Sequence, residues 1–234
     1  MSKYTKLDIK VPDINRTFVS GAYNYSKPET IVANRAMINT IYQNYGKFIN
    51  RWGIEFEVDD SVIVGFIATE SGGTNAPPNR YEATGLMQMT PNAVWETIVK
   101  WEKIVGSPLS KTAIAFFNKS IPSSKKFDPN TLPSSLVKSE ILNALKNNSE
   151  FNIAISTAHL RWLLQAFSEN DKAEINKVMV SYNSGYYTSR SKVKGKMTTT
   201  QIVNNKSFAL ESRGYLLKML GVNGFLDLWF KDKK

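Results

Sequence analysis

The stretch that decides the fold runs from Val62 to Ala93 and reads VIVGFIATESGGTNAPPNRYEATGLMQMTPNA. Apolar residues recur at helical spacing through its first part and lead directly to Glu70. Asp59 offers a capping oxygen before the apolar run, and Gly72 follows shortly after the glutamate. The sequence therefore predicts a helix over about residues 60–71 that ends next to a carboxyl group.

Glu70 lies at the buried, C-terminal end of this predicted helix. Desolvation and the negative end of the helix dipole both disfavour an ionised carboxylate at such a place. A carboxyl group held in this way stays protonated near neutral pH and can donate its proton as a general acid. The alternative is an ordinary solvated glutamate in the last turn of a helix.

Composition excludes several classes of chemistry. The chain has 234 residues, 42% of them hydrophobic and 21% charged, as expected for one globular domain or two small ones. The absence of cysteine excludes disulfides, thiolate catalysis and cysteine-based metal sites. A single histidine, His159, argues against a histidine metal site or a Ser-His-Asp triad. We therefore expect no metal and no cofactor.

The net charge is +10, which predicts a polyanionic partner such as nucleic acid, an anionic membrane surface or a bacterial wall. The alternative is a basic surface that only aids solubility. The sequence has no long apolar window, and its N-terminus has no apolar segment typical of a signal peptide. We therefore expect no membrane anchor and synthesis in the cytoplasm.

The pattern along the chain is mainly helical. Residues 1–27 lack a sustained period and are predicted to form an N-terminal arm, and residues 28–234 a single mainly α domain. Asp171 and Glu174 resemble a helix capping box, and Lys6–Val11 and Lys192–Thr198 are weak strand candidates. Helices are predicted over about 28–52, 60–71, 91–105, 111–118, 136–145, 151–167, 175–184 and 208–220.

Five short motifs follow one another along the chain. They are Ile67-Ala68-Thr69-Glu70-Ser71, Gly85-Leu86-Met87-Gln88, the segment from Asn152-Ile153 to His159-Leu160, Ser181-Tyr182-Asn183-Ser184-Gly185, and Glu211-Ser212-Arg213-Gly214-Tyr215. This ordered set, with 18 positions from Glu70 to Gln88, resembles the soluble lytic transglycosylases and goose-type lysozymes, especially their phage endolysin members. The resemblance covers about residues 59–220, except for an unmatched insertion around 94–151.

The resemblance implies a lysozyme-like fold and a role for each matched position. Glu70 would be the catalytic acid and then the base. Ser71 would hold the helix end and the carboxyl group, Tyr182 would place its hydroxyl near Glu70, and Asn183 would support the site.

Met87 and Gln88 would line the sugar groove, with Gln88 forming hydrogen bonds to N-acetyl or hydroxyl groups. Two positions depart from the family pattern: Asn79 stands where a Ser or Thr is common, and His159 stands where an aromatic residue is expected. We interpret His159 as a partly buried helix residue without a chemical role.

The resemblance also implies a reaction, which is cleavage of the β-1,4 bond between N-acetylmuramic acid and N-acetylglucosamine with a 1,6-anhydro product. Hydrolases of this kind use a second carboxylate. Glu82 is the only other acid between Glu70 and Gln88, so it is the candidate second carboxylate of a goose-type hydrolase. The alternative is an exposed loop charge that pairs with Arg80.

The resemblance predicts a monomeric, metal-free phage protein whose partner is peptidoglycan and not nucleic acid. It would be made in the bacterial cytoplasm without a signal peptide and would act on the wall after holin-type release or from a virion. A basic nucleic-acid-binding protein and a non-catalytic wall-binding protein are the rival interpretations. Alternating cations would lie near the groove or form a solvated loop; they are Arg190, Lys192, Lys194 and Lys196.

Overall fold

The structure, a computed structural model, describes residues 8–10, 27–121, 135–193 and 197–232. Helices dominate these ranges, so the predicted mainly α fold class is confirmed. The helices are α1 (Pro28–Phe56), α2 (Asp60–Ser71), α3 (Pro91–Val105), α4 (Lys111–Ser120), α5 (Ser135–Asn147), α6 (Ser149–Ala166), α7 (Ile175–Ser184), α8 (Tyr186–Arg190), α9 (Thr199–Asn204), α10 (Leu210–Leu220) and α11 (Phe225–Asp232). The described strands are β1 (Asp8–Lys10), β2 (Ser168–Glu169) and β3 (Lys172–Glu174).

α2 begins and ends where the sequence predicts. The Asp59 side chain accepts a hydrogen bond from the Ser61 backbone N–H at 2.7 Å, and Gly72 closes the helix in the left-handed region with φ 63°. The residues from Ser61 to Ala68 are buried on every side of the helix. α2 therefore runs through the core and delivers Glu70 at its last turn.

α1 continues past Gly53, where the sequence predicted its end. A Cβ atom on Gly53 would lie 2.8 Å from the Val58 carbonyl oxygen and 2.9 Å from an Asp60 carboxylate oxygen. The helix ends instead at Glu57, which has φ 55°. This glycine is therefore required by the close passage of the chain into α2 and not by helix termination.

α6 is the central helix of the domain. Each residue from Phe151 to Leu164 is buried, which is the pattern of a helix surrounded by others rather than lying on a surface. α6 contacts α1, α3, α4, α5 and α7.

The insertion around 94–151 contributes to the same hydrophobic core. α3 starts at the predicted position, and the hydroxyl of its N-cap Thr90 accepts from the Ala93 N–H at 3.1 Å. The helices predicted over 111–118 and 136–145 correspond to α4 and α5. Ring centroids of Phe56 and Trp101 are 5.6 Å apart, and those of Phe117 and Phe151 are 6.0 Å apart.

A small sheet has the strand order β1-β3-β2. The predicted capping box at Asp171 is wrong, because Asn170 and Asp171 have φ 51° and 59° and form the turn of the β2–β3 hairpin. β1 pairs in parallel with β3, with Ile9 opposite Ala173, and so attaches this part of the N-terminal arm to the domain. The rest of the arm up to residue 26 lies outside the described residues.

The strand suggested for Lys192–Thr198 is wrong in its described part. Lys192 and Val193 form a turn after α8, and Thr198 is the N-cap of α9 in a capping box with Gln201. Lys194 and Lys196 lie outside the described residues. The aromatic-rich C-terminal segment forms α11.

Candidate active site

Glu70 occupies a partly buried position at the end of α2. Burial raises the pKa of its carboxyl group to about 8, because desolvation disfavours the ionised form. Of the neighbouring groups, the Tyr215 hydroxyl lowers this pKa, the Glu211 charge raises it and the Lys218 charge lowers it. A carboxyl group with this pKa is protonated at neutral pH and can act as a general acid.

Tyr215, on α10, is a site residue for which the sequence predicted no role. Its hydroxyl is buried and is without a hydrogen-bond partner of good geometry in the described part of the chain, yet it is close enough to Glu70 to act on that pKa. Burial and the Glu70 charge together raise the pKa of Tyr215 well above its usual value. Its place in the motif that begins at Glu211 was the available signal.

Ser71 connects the end of α2 to the turn formed by Gly85–Gln88. Its hydroxyl lies 2.7 Å from the Leu86 carbonyl oxygen and 3.2 Å from that of Ile67, and it accepts from the Gly73 N–H at 3.2 Å. These contacts are structural and hold the helix end beside the turn.

Asn152 is fully buried and holds the Gly85–Gln88 turn in place from α6. Its Oδ1 accepts from the Met87 N–H at 2.9 Å, and its Nδ2 donates to the Thr84 and Leu145 carbonyl oxygens at 2.9 and 3.2 Å. The side chain approaches the turn so closely that a Cβ atom on Gly85 would lie 2.2 Å from Nδ2. Gly85 also has φ 80°, so both space and conformation require glycine there.

Tyr182, on α7, links this turn to the surroundings of Glu70. Its hydroxyl donates to the Met87 carbonyl oxygen at 2.8 Å, and its ring packs against Phe66 with centroids 4.8 Å apart. The pKa of Tyr182 is raised well above its usual value, first by burial and then by the Glu70 charge. The Glu70 charge therefore acts on Tyr182, while the Tyr182 hydroxyl itself bonds to the turn.

The structure places Met87 differently from the prediction that it lines a groove. Its side chain is completely buried, so only its backbone takes part in the arrangement: the carbonyl oxygen accepts from Tyr182 and the N–H donates to Asn152. Gln88 is partly exposed with φ 47°, and its Nε2 donates to the Gly85 carbonyl oxygen at 2.9 Å. This bond directs the side-chain amide along the turn.

Asn183 follows Tyr182 and connects α7 to α10. Its Oδ1 accepts a hydrogen bond of 2.7 Å from the Ser212 hydroxyl. Ser212 is buried next to Glu211, so the contact fixes the helix that carries Tyr215.

Glu82 lies in the loop before the turn and forms an ion pair with Lys138 of α5 at 2.7 Å. The predicted alternative partner, Arg80, instead places its guanidinium over the Tyr81 ring at 4.6 Å. The charges that act on the pKa of Glu70 come from α10 and not from Glu82.

Asn79 organises the same loop. Its side-chain oxygen accepts from the Tyr81 and Ala83 N–H groups at 2.8 and 3.1 Å. Its amide therefore shapes the chain locally.

His159 is buried beside Tyr182, with ring centroids 5.5 Å apart. Its Nδ1 lies 2.7 Å from the Thr97 hydroxyl, which itself donates to the Ala93 carbonyl oxygen at 2.7 Å. We therefore assign the imidazole proton to Nδ1. Burial lowers the pKa of His159 to about 4, so the ring is neutral.

Within the described ranges, no three His, Asp or Glu side chains come together as a metal site. The same ranges contain no helix with the length and apolar character needed to cross a membrane.

A known relative resembles this chain. The membrane-bound lytic murein transglycosylase E of Buchnera aphidicola subsp. Baizongia pistaciae (strain Bp) is 27% identical over an alignment of 135 residues. The match covers 56% of this chain. The chain spans 60% of the length of that relative. No protein-family profile and no solved structure matches the chain. Over about half of its length, the chain is thus similar to a lytic murein transglycosylase.

Proposed function

We propose that the protein is a peptidoglycan lytic transglycosylase that cleaves the β-1,4 bond between N-acetylmuramic acid and N-acetylglucosamine. One observation carries the proposal: the Glu70 carboxyl group has a pKa raised to about 8 and interacts with both Tyr182 and Tyr215. Nucleic-acid binding would require no protonated carboxyl group at such a place. The similarity to a lytic murein transglycosylase supports the same conclusion.

In the proposed reaction, Glu70 first donates its proton to the glycosidic oxygen as the bond to the anomeric carbon breaks. The acetamido oxygen of the muramic sugar attacks that carbon and forms a cyclic intermediate. The Glu70 carboxylate then removes the proton of the sugar's 6-hydroxyl, whose oxygen displaces the acetamido oxygen. The product is a 1,6-anhydro sugar, and Glu70 returns to its protonated form.

The residues around Glu70 have supporting roles in this proposal. Gln88 is partly exposed and offers its amide to N-acetyl or hydroxyl groups of the glycan. Tyr182 fixes the turn before Gln88, and Asn183 fixes the helix that carries Tyr215. Ser71 holds the end of α2 against the turn.

The test is the Glu70→Gln variant, which keeps the shape of the side chain and cannot deliver a proton. We expect its lytic activity on purified peptidoglycan to fall by about 10²–10⁴-fold, the usual contribution of general acid–base catalysis. Glu102→Gln is the matched control, because it makes the same chemical change at an exposed position on α3, outside the candidate site. A Glu70→Gln variant that clears peptidoglycan at a rate near wild type would show that the assignment is wrong.

Mass spectrometry of the products separates the transglycosylase from the goose-type hydrolase. We expect 1,6-anhydro ends, which are lighter by one water than reducing ends, in both wild type and Glu82→Gln. This expectation is supported by the ion pair between Glu82 and Lys138, which holds the Glu82 side chain against α5. Reducing ends that disappear in Glu82→Gln would instead identify a hydrolase with Glu82 as its second carboxylate.

The proposal extends to the biological setting. The motif set resembles phage endolysins, so we propose a phage lysin that is made in the host cytoplasm and reaches the wall after holin-type release or within a virion. We expect it to act as a monomer. Lysis of host cells that requires co-expression of a holin, with no lysis by the protein alone, tests the release route.

A further inference from the structure

One aromatic ring and two cations form a cluster, which consists of Tyr187 and Arg190 of α8 and Lys100 of α3. α8 follows directly after α7, the helix that carries Tyr182. Tyr187 is 50% exposed, and its hydroxyl accepts a hydrogen bond from Lys100 of α3 at 2.7 Å. The Lys100 Nζ lies 4.2 Å from the centre of the Tyr187 ring, and the Arg190 Cζ lies 5.4 Å from it. Both cations are therefore held against one half-exposed ring.

The donors of this cluster are only partly used by the protein. Glu96 pairs with Lys100 at 2.9 Å and offsets one positive charge. Arg190 is exposed, and no carboxylate of the described residues lies within 4.0 Å of its guanidinium. The Tyr187 hydroxyl accepts from Lys100, so its own hydrogen is available to a further acceptor. Among the described residues, the cluster thus presents one positive charge without an ion-pair partner and the hydrogen of the Tyr187 hydroxyl as an available donor.

A continuous series of packed rings connects the cluster to the candidate active site. The centroid distances are 5.5 Å from Tyr182 to His159, 5.5 Å from His159 to Trp162, 4.9 Å from Trp162 to Tyr186 and 5.1 Å from Tyr186 to Tyr187. Because His159 and Trp162 are buried, the series is part of the core. The cluster therefore has a fixed position relative to Tyr182.

We propose that Arg190, Lys100 and Tyr187 form a subsite for a carboxylate on the peptide stem of the wall glycan; this rests on the proposed function. The planar guanidinium of Arg190 can hold the two oxygens of a carboxylate together, and Tyr187 and Lys100 supply single donors. The phosphodiesters of wall polymers also present anionic oxygens, so they are the alternative source of this ligand chemistry. The peptide stem is favoured because it is attached to the same muramic sugar that would be bound beside Tyr182.

The test measures binding, so that it does not depend on cleavage. Isotherms are recorded by co-sedimentation of the Glu70→Gln protein with peptidoglycan sacculi and with sacculi freed of phosphodiesters by hydrofluoric acid. Binding to the soluble, peptide-free glycan strands that an amidase releases from sacculi is measured by calorimetric titration. Arg190→Gln is added to this protein, and Lys119→Gln is the matched control, since it removes one charge from an exposed position on α4.

We expect Arg190→Gln to raise the dissociation constant for intact and phosphodiester-free sacculi by about three- to ten-fold, the scale of an exposed charge-assisted contact. The dissociation constant of Lys119→Gln should stay within two-fold of that of its parent, which is ~0.4 kcal/mol. Peptide-free glycan strands should bind the Arg190→Gln protein and its parent equally. Arg190→Lys, which keeps the charge without the planar fork, should give an intermediate value with intact sacculi.

Two outcomes would overturn the subsite: an unchanged dissociation constant in Arg190→Gln, or an effect that survives peptide removal and disappears with the phosphodiesters. The activity of the wild type is measured separately. A wild type that does not cleave sacculi would refute the proposed function, while the isotherms would still decide whether this cluster binds the stem.

Discussion

The raised pKa of Glu70 makes a prediction about stability that needs no substrate. The carboxyl group has a pKa of about 8 in the folded protein, against a usual value of 4.5. Between these two pH values the unfolded chain has released the proton and the folded protein has kept it. The unfolded state therefore binds fewer protons, and the free energy of unfolding falls as pH rises through this window.

The size of the effect follows from the same two values. Each pH unit in the window lowers the free energy of unfolding by about 1.4 kcal/mol, and the full loss between pH 4.5 and 8 is about 5 kcal/mol as an upper value. Above pH 8 the contribution of Glu70 to the free energy of unfolding no longer changes with pH. Glu70→Gln removes the titrating group, so the variant should lose this part of the pH dependence and become the more stable protein at high pH.

The assay is urea unfolding of wild type and Glu70→Gln at several pH values from 5 to 9. We expect the difference between the two free energies of unfolding to change by at least about 2 kcal/mol across this range, in favour of Glu70→Gln at high pH. Glu82→Gln serves as the control for losing one exposed carboxyl group. A wild type and a Glu70→Gln variant whose stabilities differ by the same amount at every pH would refute the buried, protonated state of Glu70.

Three further predictions concern the turn beside Glu70. Gly85→Ala should destabilise the protein by more than about 2 kcal/mol in urea unfolding, since the new Cβ would meet Asn152. The control Gly106→Ala should cost about 1 kcal/mol, because Gly106 has φ 78° but no atom within 4 Å of the added Cβ; equal losses in the two variants would contradict the packing argument. Asn152→Ala should cost about 2–5 kcal/mol, because three buried backbone groups lose their partner; a loss below about 1 kcal/mol would mean that water replaces the side chain. Tyr182→Phe should keep its melting temperature within about 4 °C and lose at least about ten-fold in lytic rate, since it removes only the hydroxyl, which bonds to the Met87 carbonyl and interacts with the Glu70 charge. Unchanged turnover would mean that Tyr182 only packs.

Local sequence determined most of the longer helices and the end of α2, while the short helices α8, α9 and α11 were not predicted. The Asp59 side chain caps α2 and Gly72 closes it as predicted, and α3 begins at the predicted position with Thr90 as its cap. These features depend on contacts between residues a few positions apart, so they can be predicted from residue type and spacing. The position of Glu70 at a buried helix end follows from the same pattern.

Some local patterns had two interpretations, and the packing decided between them. Asp171 suited a capping box, but the pairing of β3 with β1 and β2 makes it a hairpin turn. Gly53 suited a helix end, but the chain returning through Val58 needs the space that glycine leaves. In each case a contact with a neighbouring segment outweighed a local preference.

The environment of Glu70 was decided only by the tertiary structure. Its partner Tyr215 comes from α10, far along the chain, while Glu82, close in sequence, is held by Lys138. Met87 is directed into the core by Asn152 and Tyr182. The physical reason is that desolvation and Coulomb interactions depend on distances in space, and the packing of α2, α7 and α10 sets those distances. The sequence determines that a carboxyl group stands at the helix end; the fold determines that it keeps its proton.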